Sequence, residues 1–215
     1  MTDVYLCRHG RTPLNVAGRL RGRLNPDLDL IGRSEARDLA KLLGEVGLTR
    51  VIASPLARAV QTATPIAELS QVELEIDERL VDRDYGAFDG QPAADVIAEY
   101  GSLDDAPGVE DAQSVFDRAF EALQAAADST SDPIAMVSHD AVIRILLDRL
   151  TPTQNHTQHV QPRTGCWSLL RRDADGWHLL AADSKDDPVE TAVVRQRAAA
   201  LRSSETGTLR PSTQP

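Results

Sequence analysis

The sequence predicts an α/β fold: a largely parallel sheet of about six strands with one antiparallel edge strand, helices on both faces and a short cap insertion. Three observations predict it. Short apolar runs alternate with segments of helical periodicity over the first 150 residues. Two strand-like runs then close on a tight turn near residue 174. Within the first stretch, residues 80–108 are punctuated by Gly86, Gly90, Pro92, Gly101 and Pro107, which breaks the alternation and suggests a cap.

Taken in order, residues 3–7 read as a first buried strand, short and continuously apolar. Residues 34–46 carry Ala36, Leu39, Ala40, Leu42 and Leu43 at helical spacing and stop before Gly47. Residues 50–53 form a second strand, closed by Ser54-Pro55, and 57–69 a second helix that Pro65 disturbs. Residues 72–76 alternate as a short third strand. Helices follow over 93–100 and 112–127, then a strand over 134–137 and a helix over 141–150. Strands over 165–171 and 177–182 flank Asp173-Ala174-Asp175-Gly176, a hairpin turn. Trp167 and Trp177 are expected to pack across that hairpin. Residues 1–186 are thus expected to form one domain. Residues 187–215 are expected to hold a C-terminal helix, placed at 191–201, and a disordered tail from 203.

The chain has 215 residues, enough for one full core, with 41% hydrophobic and only 4% aromatic residues. Packing therefore rests on Leu, Val, Ile and Ala. No apolar run approaches the roughly 20 residues that span a bilayer. Met1-Thr2-Asp3 is not followed by a basic region and an apolar stretch, so no secretory signal is expected. Cys7 and Cys166 sit in apolar runs and are expected to be reduced thiols, so the expected location is cytoplasmic, with no membrane partner. A net charge of −10 argues against a nucleic-acid partner. Arg8, Arg11, Arg19, Arg21, Arg23 and Arg33 nevertheless crowd the first 33 residues. A local positive site in an acidic body focuses a small anion.

Four segments put reactive residues at strand ends. Arg8-His9-Gly10-Arg11-Thr12-Pro13-Leu14-Asn15 follows the first strand, and Ser54-Pro55-Leu56-Ala57-Arg58-Ala59-Val60-Gln61-Thr62 the second. Residues 80–90, with Asp82-Arg83-Asp84-Tyr85-Gly86, open the irregular stretch, and Val137-Ser138-His139-Asp140 ends the later strand. Open α/β sheets bind ligands just past the carboxyl ends of their strands. Guanidiniums there present forked donors that match a phosphate, and a neutral imidazole between them is a competent nucleophile.

Together the four segments resemble the histidine phosphatase superfamily, the phosphoglycerate mutase-like group, from Val4 to about Ala182, and within it the phosphatase branch. Arg21-Gly22 and Leu28 to Gly32 add to the likeness. The resemblance implies that His9 is the nucleophile that becomes phosphorylated, with Arg8, Arg58 and His139 holding the phosphoryl oxygens and Asn15 donating its amide. It implies no metal and no cofactor. Asp82 stands where the family usually carries a glutamate that protonates the leaving group. It is one methylene shorter, and Asp84 is its competitor. A misplacement of about 1 Å can cost on the order of 100-fold in rate. Asp140 replaces a frequent glycine and is expected to cap the following helix.

Glu110 matches a substrate-loop position of many relatives, with a solvated charge as the alternative. His156 and His159 belong to a polar loop, and His178 to the hairpin surface. The expected activity is hydrolysis of a small phosphomonoester through phosphohistidine. A phosphoglycerate mutase is the runner-up, and a catalytically weakened binder of phosphorylated ligands a third reading. Residues 91–113 hold Asp95, Glu99, Asp104, Asp105, Glu110 and Asp111 with no Lys or Arg, which suits hydrolysis better than a bisphosphate intermediate. The partner is a small phosphorylated metabolite. A homodimer is left open.

Overall fold

Alternation along the strands assigns the two faces of the sheet. The computed structural model describes residues 1–151 and 161–188. It contains β1 (Thr2–Arg8), β2 (Arg50–Ala53), β3 (Leu74–Ile76), β4 (Ile134–Ser138), β5 (Trp167–Asp173) and β6 (Gly176–Ser184). Its helices are α1 (Pro13–Val16), α2 (Leu30–Leu43), α3 (Ala57–Ser70), α4 (Ala93–Tyr100), α5 (Ala112–Ser129) and α6 (Asp140–Leu150). The strand order is β3-β2-β4-β1-β5-β6. The first four of these strands pair in parallel, and antiparallel pairing is confined to the β5–β6 edge, with β5 the reversed strand.

Val4, Leu6, Ile52, Ile134, Met136 and Leu170 face α5 and α6. Tyr5, Cys7, Val51, Ala53, Ala135, Val137 and Leu169 face α2 and α3. Both faces of the central strands are therefore covered, as a parallel sheet requires. A third, smaller cluster of Leu20, Tyr85, Phe88, Val96 and Ala106 holds the cap together. No helix among the described residues is long and apolar enough to cross a membrane.

Several boundaries differ from the sequence expectation. Helix α2 starts at Leu30 rather than 34, because Asp29 caps it by accepting Gly32 N–H at 2.8 Å. Leu30 and Ile31 are exposed and hide the start from any periodicity count. Helix α3 runs unbroken past Pro65. Burial of Ala59, Ala63, Ile66 and Ala67 outweighs the roughly 3 kcal/mol that an interior proline costs. The tryptophans do not meet. Trp167 packs edge-on against Tyr5 on the α2/α3 face (ring centroids 5.6 Å), whereas Trp177 lies against the α5/α6 face under Arg172. Residues Met1–Lys185 form one compact unit, and Asp186–Pro215 form another. The helix at 191–201, the tail, His156 and His159 lie outside the described residues.

Candidate active site

Register brings the site together. Arg8 of β1 stands opposite Ser138 of β4, and Ala53 of β2 opposite Val137 of β4. The residues that follow each strand, His9, His139 and Ser54, therefore leave the sheet side by side. Two backbone bonds hold the exits level: His9 N–H to Ser138 O and Ser54 N–H to Val137 O, both 3.0 Å. The His9 and His139 rings sit 5.2 Å apart between centroids.

The loop after β1 is clamped by its neighbours. Gly10 N–H donates to Thr62 Oγ1 of α3 at 2.9 Å, and that hydroxyl donates to Arg58 O at 2.7 Å. A Cβ on Gly10 would meet Gly32 O at 2.4 Å, and one on Gly32 would meet Arg11 O at 2.0 Å. The N-terminus of α2 and this loop thus touch backbone to backbone. Arg11 is used for structure: its N–H donates to Glu35 and its Nε to Asp29, each at 2.8 Å.

His9 is fully buried, and its Nδ1 lies 2.7 Å from Gly10 O. A carbonyl only accepts, so Nδ1 carries the hydrogen and Nε2 keeps its lone pair. Nε2 is buried with no partner. Burial, then the charges of Arg58, Arg8 and Arg21, hold the ring's pKa well below the ordinary imidazole value. His9 is neutral at neutral pH, with the nucleophilic nitrogen bare.

Opposite it, His139 Nε2 lies 2.7 Å from Ser54 Oγ. That oxygen accepts Leu56 N–H at 3.4 Å and keeps a hydrogen it can give to Nε2, the pairing in which the imidazole hydrogen sits on Nδ1. Nδ1 is buried, unpartnered, and 3.8 Å from Asp82 Oδ2. His139 is also held neutral, first by burial and then by Arg58.

Arg58 is completely buried. It donates to Leu24 O (2.7 Å), Gly22 O (3.1 Å) and Asp82 Oδ2 (2.9 Å), leaving Nε without a partner. Asp82 is equally buried, and its Oδ1 accepts Arg83 N–H at 2.9 Å. Burial raises its pKa, against the pull of Arg58 and Arg21. Asp84 is placed differently. Its side chain is 45% exposed, accepts Gly86 N–H and faces Arg23 at 3.7 Å. Of the two acids, only Asp82 touches the Arg58–His139 group.

Arg8 donates through Nη1 to Pro162 O, and its Nε is buried without a partner. Asp140 does not cap α6. The N-cap is His139, and Asp140 is the first helical residue, its Oδ1 3.6 Å from Arg8 Nη1. There it meets both a guanidinium and the positive end of the helix. Asn15 lies in a reciprocal capping box with Thr12, whose N–H and hydroxyl donate to Asn15 Oδ1 at 3.0 and 2.7 Å. Its amide nitrogen is the group left to offer.

Sequence reasoning missed the supports. Arg118 of α5 donates to the carbonyls of Arg79 (2.7 Å), Val81 (2.6 Å) and Asp82 (3.2 Å), and so grips the backbone under Asp82. Glu110 is not a solvated charge: it binds Arg118 at 2.8 Å, accepts Asp84 N–H at 2.9 Å and faces Arg23 at 3.5 Å. No local motif announced Arg118. It stands 36 residues beyond Asp82.

In sum, a neutral imidazole with a free lone pair faces buried N–H donors on Arg8, Arg58 and His139 and a buried carboxyl. Such a group can bind a tetrahedral oxyanion, accept it on nitrogen and pass a proton to its leaving oxygen.

The family model of the histidine phosphatase superfamily (branch 1) matches residues 4–184. Phosphoserine phosphatase 1 of Hydrogenobacter thermophilus is 34% identical over 100 residues, 46% of this chain and 47% of its own. The matched stretch thus spans about half the length of that curated relative. Phosphoglycerate mutase-like protein 4 of Arabidopsis thaliana is 30% identical over 191 residues, 82% of this chain and 83% of that one. The solved alpha-ribazole phosphatase from Shigella flexneri superposes with a TM-score of 0.74 at 26% identity, covering 85% of this chain and 96% of its own.

Proposed function

The chain belongs to the histidine phosphatase superfamily (branch 1), and from that premise we propose that it hydrolyses a small phosphomonoester through a phosphohistidine on His9. The bare Nε2 of His9, with Nδ1 tied to Gly10 O, carries this assignment. The Nε2 lone pair forms a bond to phosphorus as the bond to the ester oxygen breaks, and Asp82 gives its proton to the departing alkoxide. Arg8, Arg58 and His139 hold charge on the non-bridging oxygens, with the Asn15 amide at the rim. In the second step the Asp82 carboxylate takes a proton from water. The water oxygen then bonds to phosphorus, and His9 leaves neutral with its lone pair restored. No step calls for a metal or cofactor.

Hydrolysis is preferred to mutase chemistry because of the cap. A mutase holds a bisphosphate against water. Here the acids of residues 91–113 have no basic residue among them, and the nearby Arg23 and Arg83 are engaged by Glu110, Asp84 and Asp104. Such a surface repels a second phosphate. A non-catalytic binder is the remaining reading, and one experiment separates all three. Quenched with base, the enzyme should carry acid-labile phosphate on His9, and inorganic phosphate should accumulate from an aryl phosphate. His9→Ala should abolish both. Phosphoryl transfer to phosphoglycerate without net phosphate release would identify a mutase, and binding without labelling a binder.

A further inference from the structure

The sequence around Arg21 is built to hold that side chain in place. Leu20 N–H bonds Gln91 O at 2.9 Å, and Gly90 N–H bonds Leu20 O at 2.8 Å. On the other side Gly22 has φ +42°, and a Cβ there would meet Asp89 Oδ1 at 1.9 Å, so only glycine fits. Gly22 O accepts Arg58 Nη2 at 3.1 Å. The segment carrying Arg21 is therefore bonded to the guanidinium of Arg58.

The Arg21 side chain makes one hydrogen bond in the described structure, from Nη1 to Arg19 O at 3.2 Å. Its Nε is buried and without a partner, as are Arg8 Nε, Arg58 Nε and His139 Nδ1. The three arginines differ in their counter-charges. Arg8 faces Asp140 at 3.6 Å and Arg58 faces Asp82 at 2.9 Å. Among the described residues, no carboxylate comes within 4.0 Å of Arg21. With Asp82 ionised, the Arg8–Asp140 and Arg58–Asp82 pairs cancel, and without Arg21 the empty cradle has no net charge. A phosphate monoester brings about −1.5 to −2 at neutral pH.

We propose that Arg21 is a third phosphate-binding guanidinium of this site, and the one that supplies its net positive charge. The proposal rests on the phosphohistidine reading of the same site. Arg8, Arg21 and Arg58 each present an Nε–H, and His139 an Nδ1–H, to the three non-bridging oxygens. The charge of Arg21 reaches both imidazoles and Asp82, where it helps keep the rings neutral and opposes the rise of the carboxyl. An Asp82 that keeps its proton on substrate binding would leave two positive charges for a dianion.

The test uses the full chain with inorganic phosphate as the probe, so that binding is read without turnover. Arg21→Gln should bind phosphate about 10- to 100-fold more weakly, the range for losing a charge-assisted hydrogen bond. Arg21→Lys keeps the charge but not the fork and should recover part of that loss. With an aryl phosphate, KM should rise more than kcat falls. Phosphate should also protect Arg21 of the unaltered protein from phenylglyoxal, a readout that needs no variant to fold. Phosphate binding by Arg21→Gln within about twofold of the parent, or modification of Arg21 that phosphate does not slow, overturns the proposal. Failure to trap phosphate on His9 in the parent protein would instead remove the reading beneath it.

Discussion

On the proposed reading, one hydrogen bond at His9 selects the nitrogen that reacts. Nδ1 is tied to Gly10 O, so the lone pair can only be on Nε2. Since the ring's pKa is held well below its ordinary value, no loss of nucleophile is expected as pH falls through the usual imidazole range. The pH dependence should come from Asp82. Burial raises its pKa, so the acid form persists to higher pH, and turnover of alkyl phosphates should fall as pH rises through that value. Asp82→Asn should lower kcat for alkyl phosphates by about 100-fold or more and remove this limb. Nitrophenyl phosphate, whose leaving group needs little protonation, should be slowed far less. Equal slowing of both in steady-state assays would take the acid role from Asp82. His9 and His139 were legible because each stands next to a strand end, and Arg58 because it lies in the first turn of the helix after β2. Ser54 and Thr62 were not. Their roles arise from register, which places one hydroxyl under His139 and the other under Gly10.

At the scale of elements, α2 and the loop after β1 depend on each other. The helix begins where Asp29 caps it, and the same carboxylate takes the Nε–H of Arg11 from the loop. Gly32, in the first turn, has the loop's backbone where a side chain would go. Gly32→Ala should therefore push the loop off the helix, at a cost of about 1–3 kcal/mol in denaturant unfolding, and displace His9 enough to depress kcat. An alanine that left both stability and kcat unchanged would mean the contact is not tight. The start of α2 illustrates why boundaries escape a sequence reading. Leu30 and Ile31 look like core residues and are exposed, while the glycine between α2's cap and its amphipathic stretch is buried. Helix α4 was legible to the residue, because its apolar spacing and its bounding Pro92 and Gly101 agree.

For the whole molecule, the two buried imidazoles set an acid limit on stability. Native His9 and His139 remain neutral, whereas in the unfolded chain they take up protons below about pH 6.5. The unfolded state then binds more protons, so stability rises with pH up to that value and is lost below it. Two such groups give a slope of at most about 3 kcal/mol per pH unit. Asp82 acts in the opposite sense: its raised pKa makes the native state bind the extra proton, and its contribution declines as pH rises from about 3.8. Urea unfolding between about pH 5 and 6.5 should show the imidazole slope, and the double variant His9→Gln/His139→Gln should flatten it. The topology was legible because alternation and hairpin are patterns of the whole chain, whereas the grip of Arg118 beneath Asp82 depends on how α5 lies across the sheet. One property of the strand order reaches into synthesis. The strand between β1 and β2 is β4, translated some eighty residues after β2. A growing polypeptide that has finished both outer neighbours still has a gap where hydrogen bonds should run, and no second imidazole. On the proposed reading, the two imidazoles come together only when that late strand slides in, so assembly of the site and closure of the gap between β1 and β2 arrive in a single event.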